Sequence, residues 1–282
     1  MKAFLGMGLL GSSFVKAMLA KGEQVQVWNR TLVKAQALEA NGAKVLEDIT
    51  DAVKNADIIH LTLKDDDTVN EVMKAASAGF KPGVIIIDHT TTSAKGAVQR
   101  TADWKSRGFT YLHAPVFMGP SNALEGSGSM LVSGDQGVIE RLESELSKMT
   151  GRLINLGTQD GKAAALKLIG NSFLLSMTAG LSDTLALAKA QGVSSGDVAE
   201  LFSSWNPGAN MPNRLNKLIE GNFTSPSWEL DMARKDAGLM MKVADEAQVK
   251  LAVIPGLAAV MDSWIEKGHG NEDWSVIVKD SL

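Results

Sequence analysis

Two groups of residues in this 282-residue chain have types and spacings that suit chemistry. The first is Gly6, Gly8 and Gly11, a G-x-G-x-x-G pattern between a short apolar run at 3–5 and a helix-like stretch at 12–20. In such a turn one glycine makes the bend, the second lets backbone approach a phosphate, and the third lets helix pack on strand. The helix N-terminus then supplies N–H groups and a partial positive charge. The pattern therefore predicts a site for a dinucleotide pyrophosphate.

The second group is Lys167 and Asn171, which lie four residues apart and so share one face of a predicted helix. A lysine beside an amide suits a carbonyl or alcohol oxygen, because one group can donate a proton while the other positions the substrate. Small residues nearby, Ala163, Ala164 and Gly170, would let another surface come close. On spacing alone the alternative is an ordinary solvated helix lysine.

The end of the second predicted strand indicates which dinucleotide is bound. The acidic residue that would hydrogen-bond the 2′-OH of NAD is missing, and the strand runs into Asn29, Arg30 and Thr31. Arg30 can offer a forked guanidinium to a 2′-phosphate, and Asn29 and Thr31 add neutral donors. We therefore expect NADP, with NAD possible; a solvated turn arginine is the alternative.

The elements around these residues change character along the chain. Strand candidates alternate with helical stretches in the first half, at 3–5, 24–28, 58–63, 84–88, 111–114 and 130–133. Helical patterns lie between them at 31–41, 68–78 and 95–107, and they alone fill the second half at 162–191, 196–202, 214–220, 230–247 and 254–267. We therefore expect an α/β fold, a doubly wound Rossmann domain over 1–158 that binds NADP. An all-helical domain for substrate and dimerisation follows over 159–282, with a cleft between the two.

Composition excludes several classes of function. The net charge of −4 argues against nucleic-acid binding, and the absence of cysteine excludes disulfides and thiolate chemistry. Four scattered histidines predict no metal site. We expect no apolar stretch of membrane-span length, no signal peptide and a cytoplasmic location. The predicted helix 162–191 is apolar on more than one face, which predicts a homodimer or homotetramer.

Several motifs in a fixed order resemble those of one family. They are the glycine loop, Asn29-Arg30-Thr31, Asp88-His89-Thr90-Thr91, Ala114-Pro115-Val116, the Lys167/Asn171 helix and Lys235-Asp236. Over essentially its whole length the chain resembles the β-hydroxyacid dehydrogenases, the group of 3-hydroxyisobutyrate dehydrogenase and the glyoxylate/succinic semialdehyde reductases. These belong to the 6-phosphogluconate dehydrogenase superfamily.

The resemblance implies a role for each matching residue. Lys167 would protonate the substrate oxygen as hydride arrives from the nicotinamide, or accept the proton in reverse, and Asn171 would orient the substrate. Lys235 would reach the cofactor across the cleft. The cofactor-contacting positions would be Gly6, Met7, Gly8, Leu9, Leu10, Gly11, Asn29, Arg30, Thr31, Leu63, Lys64, Thr91 and Lys235.

One segment departs from the family. The substrate loop, commonly D-A-P-V-S-G-G, here reads HAPVFMGP over 113–120, and its substrate positions are Val116, Phe117, Met118 and Gly119. Phe117 and Met118 cannot donate to a carboxylate through their side chains. The pocket is therefore smaller, more apolar or made for a substrate without that carboxylate, unless both are core residues. His113, in place of an acidic residue, is either a second proton donor or a structural histidine.

These observations favour an NADP-preferring oxidoreductase acting on a small aldehyde, semialdehyde or 3-hydroxyacid. Two rivals stay open. An imine reductase would share the fold and suit an apolar pocket, although those enzymes usually place Asp or Tyr where Lys167 stands. A non-catalytic NADP-binding sensor or scaffold is the rival of another class, and the presence of both Lys167 and Asn171 speaks against it.

Overall fold

A computed structural model describes all 282 residues, which divide into two compact units, Met1–Asn171 and Ser172–Leu282. The helix Lys162–Ala190 runs from the first unit into the second. The two compact units therefore meet at 171/172 and not at the predicted boundary, 158/159. A functional boundary at 158/159 stays a prediction.

Six parallel strands form the main sheet of the N-terminal unit. They are β1 (Lys2–Leu5), β2 (Val25–Trp28), β3 (Lys44–Val45), β4 (Ile58–Leu61), β5 (Ile85–Asp88) and β6 (Thr110–His113). Their order is β3-β2-β1-β4-β5-β6, so the chain winds outward in both directions from β1. The doubly wound α/β fold is thus confirmed, and the point where strand order reverses lies beside the glycine turn that follows β1.

A second sheet of three strands follows. Strand β7 (Val116–Phe117) pairs antiparallel with β8 (Ser129–Val132), which pairs parallel with β9 (Arg152–Asn155). The strand predicted at 130–133 exists, but it belongs to this small sheet and not to the main one. Strand β7 carries the substrate-loop residues of the sequence analysis.

Helices of the N-terminal unit cover the sheets. They are α1 (Leu9–Ala20), α2 (Leu32–Gln36), α3 (Ile49–Val53), α4 (Asp66–Ala76), α5 (Ala94–Ser106), α6 (Pro120–Glu125) and α7 (Gln136–Ser147). The helix predicted at 31–41 is wrong in extent: α2 ends at Gln36, and a separate 3₁₀ turn over Glu39–Asn41 closes on Gly42, whose φ is 95°. That left-handed cap ends the segment where a continuous helix was expected.

Alternate residues of the central strand pack into different cores. Phe4 lies in one buried cluster, together with residues of α1 and α7, while its neighbours Ala3 and Leu5 lie in a second cluster with residues of α3 and α4. Both faces of the sheet are therefore covered, as the near-continuous apolar strands predict.

The C-terminal unit is helical. Helix α8 (Lys162–Ala190) leads into α9 (Ser195–Ser204), α10 (Met211–Glu220), α11 (Leu230–Glu246), α12 (Ile254–Glu266) and a 3₁₀ segment, Trp274–Ser281. Asp183 of α8 is buried, and its carboxylate accepts hydrogen bonds from the N–H groups of Ala252, Val253 and Ile254 at the start of α12. These bonds satisfy backbone donors that the first turn leaves open and hold the pKa of Asp183 below its usual value.

The expectation that no apolar stretch reaches membrane-span length is wrong. Helix α8 is 29 residues long, and an 18-residue window in it has a mean hydropathy of 1.3. Only 11% of that window is buried within the chain. A core helix of a soluble protein passes the same test, so length and composition alone do not place it in a membrane.

Candidate active site

The three glycines of the turn after β1 meet different surroundings. Gly6 has φ 102°, and a Cβ there would lie 2.1 Å from the carbonyl oxygen of Thr62. A Cβ on Gly11 would lie 2.0 Å from the carbonyl oxygen of Gly6. Gly8 has no atom within 4 Å of an added Cβ. Two glycines thus allow helix α1 to pack closely on the sheet, whereas Gly8 faces open space.

The N-terminus of α1 is open as well. Gly8 is its N-cap, and no side chain accepts a hydrogen bond there. Leu9, the first helical residue, is 82% exposed. Unpaired N–H groups at a helix start beside a glycine with free space suit an anion, so this turn fits the pyrophosphate of a dinucleotide. Met7 differs, because its side chain is buried in the core and its N–H donates to Oδ1 of Asn29 at 2.9 Å.

A cleft of about 290 Å³ opens beside the glycine turn. It is lined by Gly6, Gly8, Trp28, Asn29, Arg30, Thr31, Lys34, Thr62, Leu63, Lys64, Thr68 and Val72. The structure therefore brings together, in one cleft, most of the positions predicted to contact the cofactor. Lys34, in the short helix that follows, was missed, although a second basic residue so close to Arg30 could have revealed it.

Hydrogen bonds hold the rim of this cleft. Asn29 donates from Nδ2 to the carbonyl oxygen of Thr31 at 2.8 Å while it accepts from the glycine turn. The Arg30 side chain is 68% exposed, and its only ionic partner is Glu71, 3.2 Å away on α4. Because this exposed pair is weak, the guanidinium can exchange Glu71 for a phosphate at the end of β2. The Thr31 hydroxyl caps no helix N–H, although Thr31 is the N-cap of α2.

The ends of β4 and β5 are tied to each other. The N–H of Leu63 donates to Oγ1 of Thr90 at 2.9 Å, and Oγ1 of Thr62 donates to the carbonyl oxygen of Gly6. Lys64 is exposed, 3.4 Å from Asp65. Thr91 is exposed just after β5 and does not line the 290 Å³ cleft. Its contact with the cofactor stays a prediction.

Lys167 is buried on helix α8, with 8% of its surface exposed. Its Nζ donates to Oδ1 of Asn171 at 3.0 Å, as the spacing of four residues predicts. No carboxylate pairs with it, and burial lowers the pKa of its ammonium group from the usual value. Placing a lysine in this environment is costly, and such lysines are typical of proton-transfer sites.

Small residues and one serine hold the start of α8 against the N-terminal unit. Ala163 and Ala164 are fully buried, and the N–H of Ala163 donates to Oγ of Ser133, at the end of β8, at 3.0 Å. Gly161, with φ 77°, has no room for a Cβ beside Ala94 of α5. These contacts position the helical face that carries Lys167.

The four substrate-loop residues do not share one environment. Val116 is buried in the core, and Met118 packs against the same cluster. The N–H of Gly119 donates to Oδ1 of Asn122 at 2.9 Å. Phe117 belongs to no core cluster, and its ring centroid lies 4.2 Å from Nζ of Lys167. Of the four, Phe117 is the side chain that meets the candidate proton donor.

Three buried histidines lie at the ends of β4, β5 and β6. Nδ1 of His60 is 3.1 Å from Nε2 of His89, and Nδ1 of His89 is 2.8 Å from the carbonyl oxygen of Ala114. His113 Nε2 is 2.8 Å from the carbonyl oxygen of Thr90. Burial lowers the pKa of all three, that of His89 to about 4. His113 thus has the surroundings of a structural histidine and not of a proton donor.

Lys235 lies on α11 in the C-terminal unit. Its Nζ is 2.9 Å from Oδ1 of Asp236, and its side chain is about half exposed. Its reach toward the cofactor stays a prediction. Phe223 and Leu230, which precede Lys235 in the chain, are buried in the core of the unit.

Family models match nearly the whole chain. One, described as the NAD binding domain of 6-phosphogluconate dehydrogenase, matches residues 2–157. Another, described as the NAD-binding domain of NADP-dependent 3-hydroxyisobutyrate dehydrogenase, matches residues 161–280. With a glycine turn on a doubly wound sheet and a helical unit that follows it in the chain, the chain belongs to the β-hydroxyacid dehydrogenase family. It is an NAD(P)-dependent oxidoreductase.

Individual relatives are distant but extend over the full length. A 3-sulfolactaldehyde reductase from Escherichia coli (strain K12) is 26% identical over 282 residues, covering 98% of this chain and 94% of its own. A 2-(hydroxymethyl)glutarate dehydrogenase from Eubacterium barkeri is 24% identical over 280 residues, covering 98% and 93%. An imine reductase from Myxococcus stipitatus, solved with NADP⁺, superposes with a TM-score of 0.91 at 22% identity, covering 99% of each chain. This last likeness concerns the fold.

Proposed function

We propose that this oxidoreductase prefers NADP and transfers hydride between the nicotinamide and a small aldehyde, semialdehyde or 3-hydroxyacid. One observation carries the proposal: Lys167 is buried without a carboxylate partner, and its Nζ is held by Asn171 at 3.0 Å. Arg30 at the rim of the cleft beside the glycine turn supports the preference for NADP.

Different residues of the chain would bind the cofactor, transfer the proton and orient the substrate. The turn over residues 6–11 would hold the pyrophosphate, and Arg30 with Lys34 would meet the 2′-phosphate. When bound, the nicotinamide nucleotide supplies or accepts the hydride. As hydride reaches the carbonyl carbon, the carbonyl oxygen takes a proton from Nζ of Lys167, which leaves a neutral amine that solvent reprotonates. The amide of Asn171 holds Nζ in place and would orient the substrate.

The environment of Lys167 suits this step. A lysine in water keeps its proton too firmly to be an efficient acid near neutral pH. Burial lowers the pKa of Lys167 toward the working range, so that the group can both give and regain a proton.

A second candidate is reduction of an imine. The observation in its favour is the Phe117 ring beside Lys167, since an aromatic surface suits a hydrophobic imine. A lysine at the proton-donating position favours the carbonyl substrate. The oxidation of NADPH in the presence of small aldehydes, with succinic semialdehyde among them, or of a cyclic imine separates the two.

The test is a panel of carbonyl compounds and alcohols, assayed with NADPH and with NADH. The proposal expects turnover of at least one small aldehyde or hydroxyacid, with a higher kcat/KM for the phosphorylated nucleotide. Tight NADPH binding with no turnover across the panel would contradict it and support a sensor or scaffold.

We also propose a homodimer or homotetramer, formed through the helical unit, in the cytoplasm. Support comes from helix α8, whose apolar side chains Phe173, Leu174, Leu175, Met177, Leu181 and Leu185 are each about half exposed or more. A second copy of the chain would cover them.

A further inference from the structure

The ring of Phe117 lies on the helical face that carries Lys167. Its centroid is 4.2 Å from Nζ of that lysine. The same ring lies against Gly170, one turn further along α8, where an added Cβ would come within 2.4 Å of Cζ and 2.8 Å of Cε1. Because residues three and four apart share a face, Lys167, Gly170 and Asn171 form one surface, and Phe117 covers part of it.

Gly170 makes this arrangement possible. Any larger residue at that position would push the ring away from the helix, since the atoms of Phe117 nearest to the added Cβ are ring carbons packed on α8. Met118, the next residue, instead packs into the core of the unit. The ring of Phe117 is therefore no part of the core cluster, and it lies on the lysine face instead.

The ring changes what can bind beside Nζ. The face of an aromatic ring is negative, so it attracts the ammonium and repels a substrate carboxylate. The side chain also has no donor to replace the water that such a carboxylate would lose. An apolar substituent, by contrast, gains contact area on the same ring.

We propose that Phe117, seated on Gly170, is a specificity-determining residue that selects neutral, apolar aldehydes over aldehydes bearing a carboxylate. This inference rests on the proposed function and narrows its substrate class. Phe117 would thus distinguish this chain from family members whose site binds a substrate carboxylate.

The test compares butanal with succinic semialdehyde, which share a four-carbon aldehyde chain and differ in the terminal carboxylate. The quantity measured is the ratio of their kcat/KM values with NADPH, in the full chain and in four variants. The wild type should prefer butanal by ~10-fold or more, and Phe117→Ser should lower that ratio by ~10-fold, because the serine opens the face and offers a donor. Phe117→Leu keeps an apolar cover and should keep the preference.

Gly170→Ala supplies an independent route, because its Cβ displaces the ring without removing it. It should lower the ratio in the same direction, even if Phe117→Ser fails to fold. Phe80→Leu is the matched control: Phe80 packs against the rings of Trp104 and Phe109 beside the second core cluster, and its loss should leave the ratio unchanged.

The possible outcomes distinguish a failure of the specificity inference from a failure of the proposed function. A wild type that prefers succinic semialdehyde, or folded Phe117→Ser and Gly170→Ala variants with unchanged ratios, would overturn the inference and leave the proposed function standing. No turnover of either aldehyde or of any other carbonyl compound, with either nucleotide, would overturn both.

Discussion

Arg30 is the residue on which the choice of nucleotide depends. Its guanidinium is exposed at the rim of the cleft beside the glycine turn, and its only ionic partner is the equally exposed Glu71. Surface pairs of this kind contribute little, so a 2′-phosphate can displace the glutamate at small cost. We expect Arg30→Ala to raise the KM for NADPH by about tenfold, since a charge-assisted contact is lost, and to change that for NADH by less than about twofold.

Steady-state kinetics with both nucleotides check this expectation. Arg107→Ala is a suitable control, because Arg107 is an exposed arginine that lies over Trp104 and is absent from the cleft. Equal effects of Arg30→Ala on NADPH and NADH would show that Arg30 does not read the 2′-phosphate.

For individual residues, types and spacing in the sequence predicted which side chains share a face, but not what surrounds those side chains. The interval of four residues between Lys167 and Asn171 predicted their shared face, and the hydrogen bond at 3.0 Å agrees with it. Spacing could not reveal that Lys167 is buried or that Phe117 lies on it. That contact joins residues 50 positions apart, and only the packing of β7 beside α8 brings them together.

Among the elements, the turn between β1 and α1 uses different glycines for packing and for binding. A Cβ on Gly11 would lie 2.0 Å from backbone of Gly6, whereas one on Gly8 meets nothing within 4 Å. We therefore expect Gly11→Ala to lower the free energy of unfolding by about 2 kcal/mol or more through overpacking. Gly8→Ala should stay within about 1 kcal/mol of the wild type, yet weaken NADPH binding about tenfold, because its methyl group occupies the space of the phosphate.

Urea unfolding and NADPH titration of the two variants provide the check, and each serves as the control for the other. A Gly8→Ala variant that binds NADPH like the wild type would contradict the placement of the pyrophosphate at this turn.

The strands β4, β5 and β6 carry a pH dependence in their buried histidines. Each of His60, His89 and His113 is neutral when folded, because burial lowers its pKa below the usual 6.5. At pH values between 6.5 and the lower folded pKa, the unfolded chain binds more protons than the folded chain. The free energy of unfolding therefore falls as the pH falls. For His89, with a folded pKa of about 4, the loss is about 3 kcal/mol by pH 4, at about 1.4 kcal/mol per pH unit.

Urea unfolding at intervals from pH 7.5 to pH 4.5 measures this slope. His89→Gln should reduce it, since one titrating group is removed. A free energy of unfolding that stays constant from pH 6.5 to pH 4.5 would rule out neutral buried histidines in the folded chain.

Most of the long, periodic elements could be predicted from the sequence, whereas the shortest elements could not. The helices of the C-terminal unit match their predicted positions to within a few residues, because each has an apolar face several turns long. Strands Lys44–Val45 and Val116–Phe117 were missed, since two residues show no period. Helix Gln136–Ser147 and strand Arg152–Asn155 were missed as well, although both are longer. The separation of 129–132 into a second sheet follows from its pairing partners, which no local pattern encodes.

At the scale of the whole molecule, helix α8 determines the expected assembly. Only 11% of an apolar 18-residue window in this helix is buried within one chain, and several of its large apolar side chains are about half exposed or more. Exposed apolar surface of this extent favours association, so we expect a dimer or tetramer at micromolar concentration. Light scattering after size-exclusion chromatography measures the mass against the 29.9 kDa of one chain.

A charged substitution on the exposed face of α8 should disrupt this assembly. Leu175→Glu should shift the mass toward that of a monomer, because Leu175 is 71% exposed and a carboxylate there would have to be buried in the interface. A monomeric wild type would contradict the proposed assembly.

The central claim is that Lys167 transfers the proton in an NADP-dependent carbonyl reduction. The most direct measurement is kcat/KM of Lys167→Ala with the best substrate of the panel, alongside its affinity for NADPH, with Lys162→Ala on the exposed first position of α8 as the control. We expect a loss of about 10²–10⁴-fold in kcat/KM with NADPH affinity within about twofold, since only the proton transfer is removed. Full activity in the folded Lys167→Ala variant would contradict it.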